Sequence, residues 1–188
     1  MGQSVSRDHD LHRMAVLLRL AVLLVTLVLM TPGLAPADGP PSLAGPWSGR
    51  VTRVVDGDTI VVDVGGLWET IRIIGIDTPE TVDPRKPVQA FGQEASDYTK
   101  RTLSGKTVKL VADQGNAHIG HRDRYGRLLA YVWVGENFFN EAIIRDGYAH
   151  AYTKYPFRQD YMELFRAAEK GAREAERGLW GPPKTGGK

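Results

Sequence analysis

The stretch RVTRVVDGDTIVVDVGGLWETIRII, residues 50–74, leaves few folds open. β-Branched residues crowd three runs, at 50–55, 60–64 and 67–74, and the gaps hold Asp56-Gly57 and Gly65-Gly66, pairs suited to tight hairpin turns. Strands joined by turns this short are antiparallel neighbours, because a parallel crossover needs about a dozen residues or more. The stretch therefore reads as a meander, and Arg72 is the one charge in its final run IRII.

The rest of the chain alternates between helix and strand. Phe91, Ala95, Tyr98, Thr102 and Leu103 recur at helical spacing and Gly105 follows, predicting a helix over 91–103. Strands follow at 107–111 and 128–134, on either side of the long polar loop DQGNAHIGHRDRYG; loops of this length are often functional. A short helix at 138–146 stops at Gly147, and residues 157–177 place Phe157, Tyr161, Leu164, Phe165, Ala168 and Ala172 on one helical face. Five short strands interrupted and followed by three helices predict an α+β, mainly β, domain over 47–180: a five-stranded barrel of the oligonucleotide-binding (OB-fold) type. No internal repeat is present, and a monomer with no protein partner is expected.

Ahead of this domain stand Arg7 and Arg13, an apolar run over 15–30 broken by Arg19 and Thr26, and then Ala35-Pro36-Ala37. That order is a secretory signal over 1–37, which predicts export. The part of its apolar run free of charge, 20–30, is shorter than the roughly 20 residues of a spanning helix, so cleavage is expected rather than retention as an anchor. Membrane contact is expected only if the segment stays. A proline- and glycine-rich linker, 38–46, is expected to be disordered, as is the tail 181–188. Cysteine is absent, which excludes disulfides and thiolate chemistry. The formal charge is only +2 over 188 residues, so any affinity for a polyanion must come from a local site.

Asp58 begins the second run, and IDTPE at the end of the third supplies Asp77, Thr78 and Glu80. In a meander these two places lie at the same end of the hairpin, so Asp58 and Asp77 can converge as hard oxygen donors for Ca²⁺ or Mg²⁺. Arg72 then needs an anion, which is either one of these carboxylates or a ligand, and the residues alone leave both open. His118 and His121, spaced i, i+3 without a third ligand, read as exposed loop residues rather than a soft-metal site. Nucleotide-switch, zincin and nucleophile-elbow chemistries lack their GK[ST], HExxH and GxSxG signatures.

VVDGDT, RIIGIDTPE, FGQEAS, DRYGRLLAYV and NEAIIRDGYA occur here in the order found in the staphylococcal nuclease (thermonuclease) family, which the chain resembles from Val54 to Ala149 and more weakly to Trp180. The resemblance implies a Ca²⁺-dependent phosphodiesterase acting on DNA and RNA, leaving 5′-hydroxyl and 3′-phosphate ends. It implies Asp58, Asp77 and the Thr78 carbonyl as metal ligands, with Asp56 acting through a water. Arg72 and Arg127 would grip the scissile phosphate and Glu80 would stand by the attacking water. Arg124 and Tyr125 would hold the terminal phosphate, and Tyr152 would flank the base and favour single strands; the register slips after it, leaving Tyr155 unmatched. The loop 81–90 departs from the family's lysine-rich pattern and reads as solvated surface. A non-catalytic, exported module that binds single-stranded nucleic acid is the alternative, although such relatives usually lose the charged residues kept here.

Overall fold

The structure, a computed structural model, describes residues 46–81 and 89–182. The expected signal, nearly all of the linker, residues 82–88 and the last six residues lie outside the described residues. Three strands run as the meander predicts: β1 (Trp47–Asp56), β2 (Thr59–Val64) and β3 (Leu67–Ile73). β2 and β3 pair without interruption from Thr59↔Arg72 to Val64↔Leu67. β1 is longer than expected because Trp47 to Arg50 also pair with β5 (Thr107–Val111), and two irregularities, between Val51 and Arg53 and between Val54 and Asp56, bend it from one partner to the other.

Alternation sets the two faces. Val51, Ile60, Val62, Ile71 and Ile73 point into one apolar core, joined there by Leu110 and Val132. β6 (Leu128–Val134) pairs antiparallel with β5 and parallel with β3, through Ile71↔Leu128, Arg72↔Leu129 and Ile73↔Ala130. That last ladder closes five strands into a mixed barrel of the OB type, as expected.

Among the described residues three helices pack outside it: α1 (Gly92–Leu103), α2 (Phe139–Arg145) and α3 (Gln159–Glu174), with Leu164 of α3, expected on its apolar face, instead exposed beside the buried Phe165. Asn140 on α2 is fully buried, accepting from the Val132 N–H at 2.8 Å and donating to the Ile74 carbonyl at 2.7 Å, so it ties the helix to the barrel where β3 ends. The chain turns there at Gly75, whose φ of +75° suits glycine and whose missing side chain leaves room for Phe165 of α3. Three two-residue strands were not legible beforehand: β4 (Ile76–Asp77), β7 (Asn137–Phe138) and β8 (His150–Ala151). β4 pairs with β8 and fixes the backbone of Asp77 opposite His150. Among the described residues no helix is long and apolar enough to cross a membrane.

Candidate active site

Thr59 and Arg72 are directly paired across β2 and β3, so the acid just before Thr59 meets the guanidinium at its own end of the ladder. Arg72 Nη2 lies 3.1 Å from Asp58 Oδ2 and 3.6 Å from Asp77 Oδ1, while Nη1 donates to the Ile73 carbonyl at 2.7 Å. The second arginine reaches the same cluster from β6. Arg127 immediately precedes Leu128, the residue that pairs with Ile71 in the closing ladder, and its Nη1 donates to Thr59 Oγ1 at 3.4 Å. Thr59 Oγ1 in turn donates to Asp58 Oδ1 at 2.7 Å. One hydroxyl thus links the two arginines' carboxylate network. The cluster lines a cavity of about 530 Å³ together with Glu80 and Thr78.

Arg127 is held in place by Asp123, which accepts from Nε and Nη2, both at 2.7 Å. The other Asp123 oxygen caps the turn by accepting the N–H groups of Tyr125 at 2.9 Å and Arg127 at 3.0 Å. Sequence reasoning missed Thr59 and Asp123. Asp123 carried a usable signal, since an aspartate two residues before a Tyr-Gly pair is a standard turn former. Thr59 carried none, its partner being on a distant strand.

The acids differ in their surroundings. Asp77 is half exposed, yet its pKa is raised above the ordinary carboxylate range, by partial burial first and by the Asp58 charge next, with Arg72 opposing both. Asp56 is buried and also raised, chiefly by desolvation, although it accepts from the Gly57 N–H at 2.8 Å and from Thr81 Oγ1 at 2.7 Å. Those bonds make Asp56 a clasp between the first turn and the segment after Glu80. Gly57 permits the clasp: a Cβ there would stand 2.7 Å from Thr78 Oγ1, itself buried and without a hydrogen-bond partner among the described residues. The Gln89 side chain accepts from the Glu80 N–H at 2.8 Å, and Glu80 accepts from the Gln89 N–H at 3.0 Å, so the backbone beside this acid is fixed on both sides.

Two carboxylates sharing one guanidinium hold more negative charge than it balances, which adds to the rise in the Asp77 pKa that burial begins. The donor chemistry fits a hard divalent cation that keeps several waters. Two carboxylates with no imidazole or thiolate beside them suit it better than zinc, and among the described residues no three His, Cys, Asp or Glu side chains gather as a metal site of any kind.

On the other side of Arg72 and Arg127 a second cavity of about 550 Å³ opens. Tyr125, 68% exposed, stands in its wall with Arg124 at 4.8 Å and Arg127 at 5.3 Å from the ring centre, and Arg124 Nη2 also donates to its hydroxyl at 2.7 Å. Tyr152 lines the same space, and Tyr155, unmatched by sequence, lies in ring contact with it at 5.9 Å. Arg122 does not join its neighbours: it pairs with Glu69 through two bonds of 2.9 and 3.0 Å. The histidines part company too. His118 is exposed on a 3₁₀ turn, Gln114–Ile119, but His121 is buried, 7% exposed, at φ +56°. The expectation that both are exposed is therefore wrong for His121, whose backbone is pinned against β6, its N–H donating to the Asn116 carbonyl and its carbonyl accepting from the Leu129 N–H.

A family model described as staphylococcal nuclease homologue matches residues 70–182. The thermonuclease of Staphylococcus hyicus is 46% identical over 131 residues, covering 70% of this chain and 74% of that protein. The thermonuclease of Staphylococcus intermedius is 43% identical over 130 residues, 69% and 74% respectively. The endonuclease YncB of Bacillus subtilis is 36% identical over 128 residues, 68% of this chain and 59% of that protein.

Proposed function

The chain belongs to the staphylococcal nuclease family, and from that premise we propose that it is an exported, Ca²⁺-dependent nuclease that cuts DNA and RNA with little sequence preference, leaving 3′-phosphate and 5′-hydroxyl ends. The observation that carries the reading is the meeting of Arg72, Asp58 and Asp77 at one cavity, with Arg127 joined to them through Thr59. Export rests on the signal-like segment over 1–37.

Water attacks the phosphorus, the bond to the 5′ oxygen breaks, and that oxygen leaves as the 5′-hydroxyl on taking a proton from solvent. As the attack proceeds, negative charge grows on the equatorial phosphate oxygens, so groups that bind them gain strength towards the transition state. Arg72 and Arg127 supply planar forks for these oxygens, which a lysine cannot reproduce. Asp58, Asp77 and the Thr78 carbonyl hold Ca²⁺, which when bound supplies positive charge against the phosphate. Glu80 orients the attacking water and takes up its proton; beside two arginines it is a weak base, so orientation is its larger part. Asp56 acts indirectly, through water and through its clasp on Thr81. Arg124 and Tyr125 hold a neighbouring phosphate, and Tyr152 offers a ring to an unpaired base, which favours single strands.

The test is cleavage of single-stranded DNA by the purified mature chain with Ca²⁺ or with chelator, beside Arg72→Ala. Calcium-dependent cutting that Arg72→Ala abolishes supports the reading. Binding without cutting selects a non-catalytic module instead.

A further inference from the structure

Trp68 is the most exposed large apolar side chain among the described residues, at 77%, and the reaction outlined above does not use it. It lies on the outer face of the meander. Trp68, Thr70 and Arg72 alternate along β3 on the side opposite the core residues Ile71 and Ile73. Directly paired residues of antiparallel strands share a face, so the ladder Arg53↔Val61↔Thr70 sets Arg53 on that face as well. Arg53 is exposed and makes no ion pair or side-chain hydrogen bond among the described residues. Arg53 and Thr70 both line the cavity of Arg72 and Asp58, so the face continues from the site without a break.

We propose that this face is a track for the substrate strand beyond the scissile phosphate, with Arg53 on a phosphate and Trp68 stacked on a base. The proposal rests on the nuclease reading. Four strand residues at about 3.3 Å each separate Trp68 from Arg72 by about 13 Å, the span of no more than about four stacked nucleotides. Stacking suits a nuclease of low sequence preference because every base offers a π-face. Asp63 is the cross-strand partner of Trp68, and its carboxylate accepts from the Gly66 N–H at 2.7 Å. Its charge repels a phosphate, so the backbone keeps to the Arg53 side and the base takes the ring.

The experiment is fluorescence anisotropy with labelled oligothymidylates of two and ten nucleotides, in chelator so that nothing is cut, on the wild type, Trp68→Ala, Trp68→Phe and Arg53→Ala. Trp68→Ala is expected to reduce the preference for the ten-mer over the dinucleotide by roughly five- to a hundredfold, with Trp68→Phe retaining most of it and Arg53→Ala losing part. Wild-type preference in a Trp68→Ala chain of unchanged melting temperature overturns the track. So does loss of binding to phosphatidylglycerol vesicles with oligonucleotide binding intact, which makes the face a lipid contact. If the wild type fails to cut with Ca²⁺ yet Trp68→Ala still loses the ten-mer, the track stands and the nuclease reading falls.

Discussion

Arg127 depends on geometry more than on charge. Asp123 takes its Nε and Nη2, leaving Nη1 at Thr59 and the ring of Tyr125 beneath the guanidinium plane. A lysine would keep the charge and lose the fork, so Arg127→Lys should lower kcat/KM on single-stranded DNA by about a hundred- to thousandfold. Asp77 makes the opposite case. Because its pKa is raised in the folded state, the folded chain holds that proton more tightly than the unfolded one. Its contribution to stability is therefore complete below the unfolded value and is lost as pH rises through the folded value. Without metal, Asp77→Asn should remove that acid-range decline from the melting temperature, and at neutral pH it should also abolish most of the rise that Ca²⁺ produces in the wild type. The candidate residues carrying most of this chemistry were legible because each sits inside a local pattern: Asp58 in a turn, Arg72 alone in an aliphatic run, Asp77 before a Thr-Pro. Thr59 was not, since a threonine between Asp and Ile is ordinary until the partner Arg127, far along the chain, is known.

At the scale of elements, the barrel is bound to its helices by few polar contacts. Asn140 satisfies one donor on β6 and one acceptor beyond β3. Asn140→Ala leaves both buried and unpaired, and should cost at least about 2 kcal/mol, read as a lower urea midpoint with an unchanged slope. Asp113 does similar work for the long loop. It is buried and accepts from the Tyr131 hydroxyl at 2.5 Å, the Gly115 N–H at 2.7 Å and the Arg158 N–H at 3.0 Å. Asp113→Ala should loosen the 3₁₀ turn and the approach to α3 together, seen as faster amide exchange at Gly115 and Arg158. The main strands and helices announced themselves by period and by Gly punctuation. β4, β7 and β8 did not, because two residues are too short to show a period; pairing alone makes them strands.

Across the whole molecule, acidic and basic residues nearly balance, with a net of +2, so binding of a polyanion falls to three or four local guanidiniums. The logarithm of affinity for single-stranded DNA should therefore decline with the logarithm of salt at a slope of about −2 to −3, roughly 20- to 50-fold weaker at 200 mM than at 50 mM. A titration in chelator at several salt concentrations checks this. The ladder that joins Ile71–Ile73 to Leu128–Ala130 has a further consequence, one of timing. Synthesis delivers the chain from its first residue onward, and a chain halted before Leu128 holds the acids and both arginines but lacks the strand that sets Arg127 beside Arg72. The cleft is thus assembled late, only after β6 has been made, and until then the growing chain is a ribbon with its cutting groups apart.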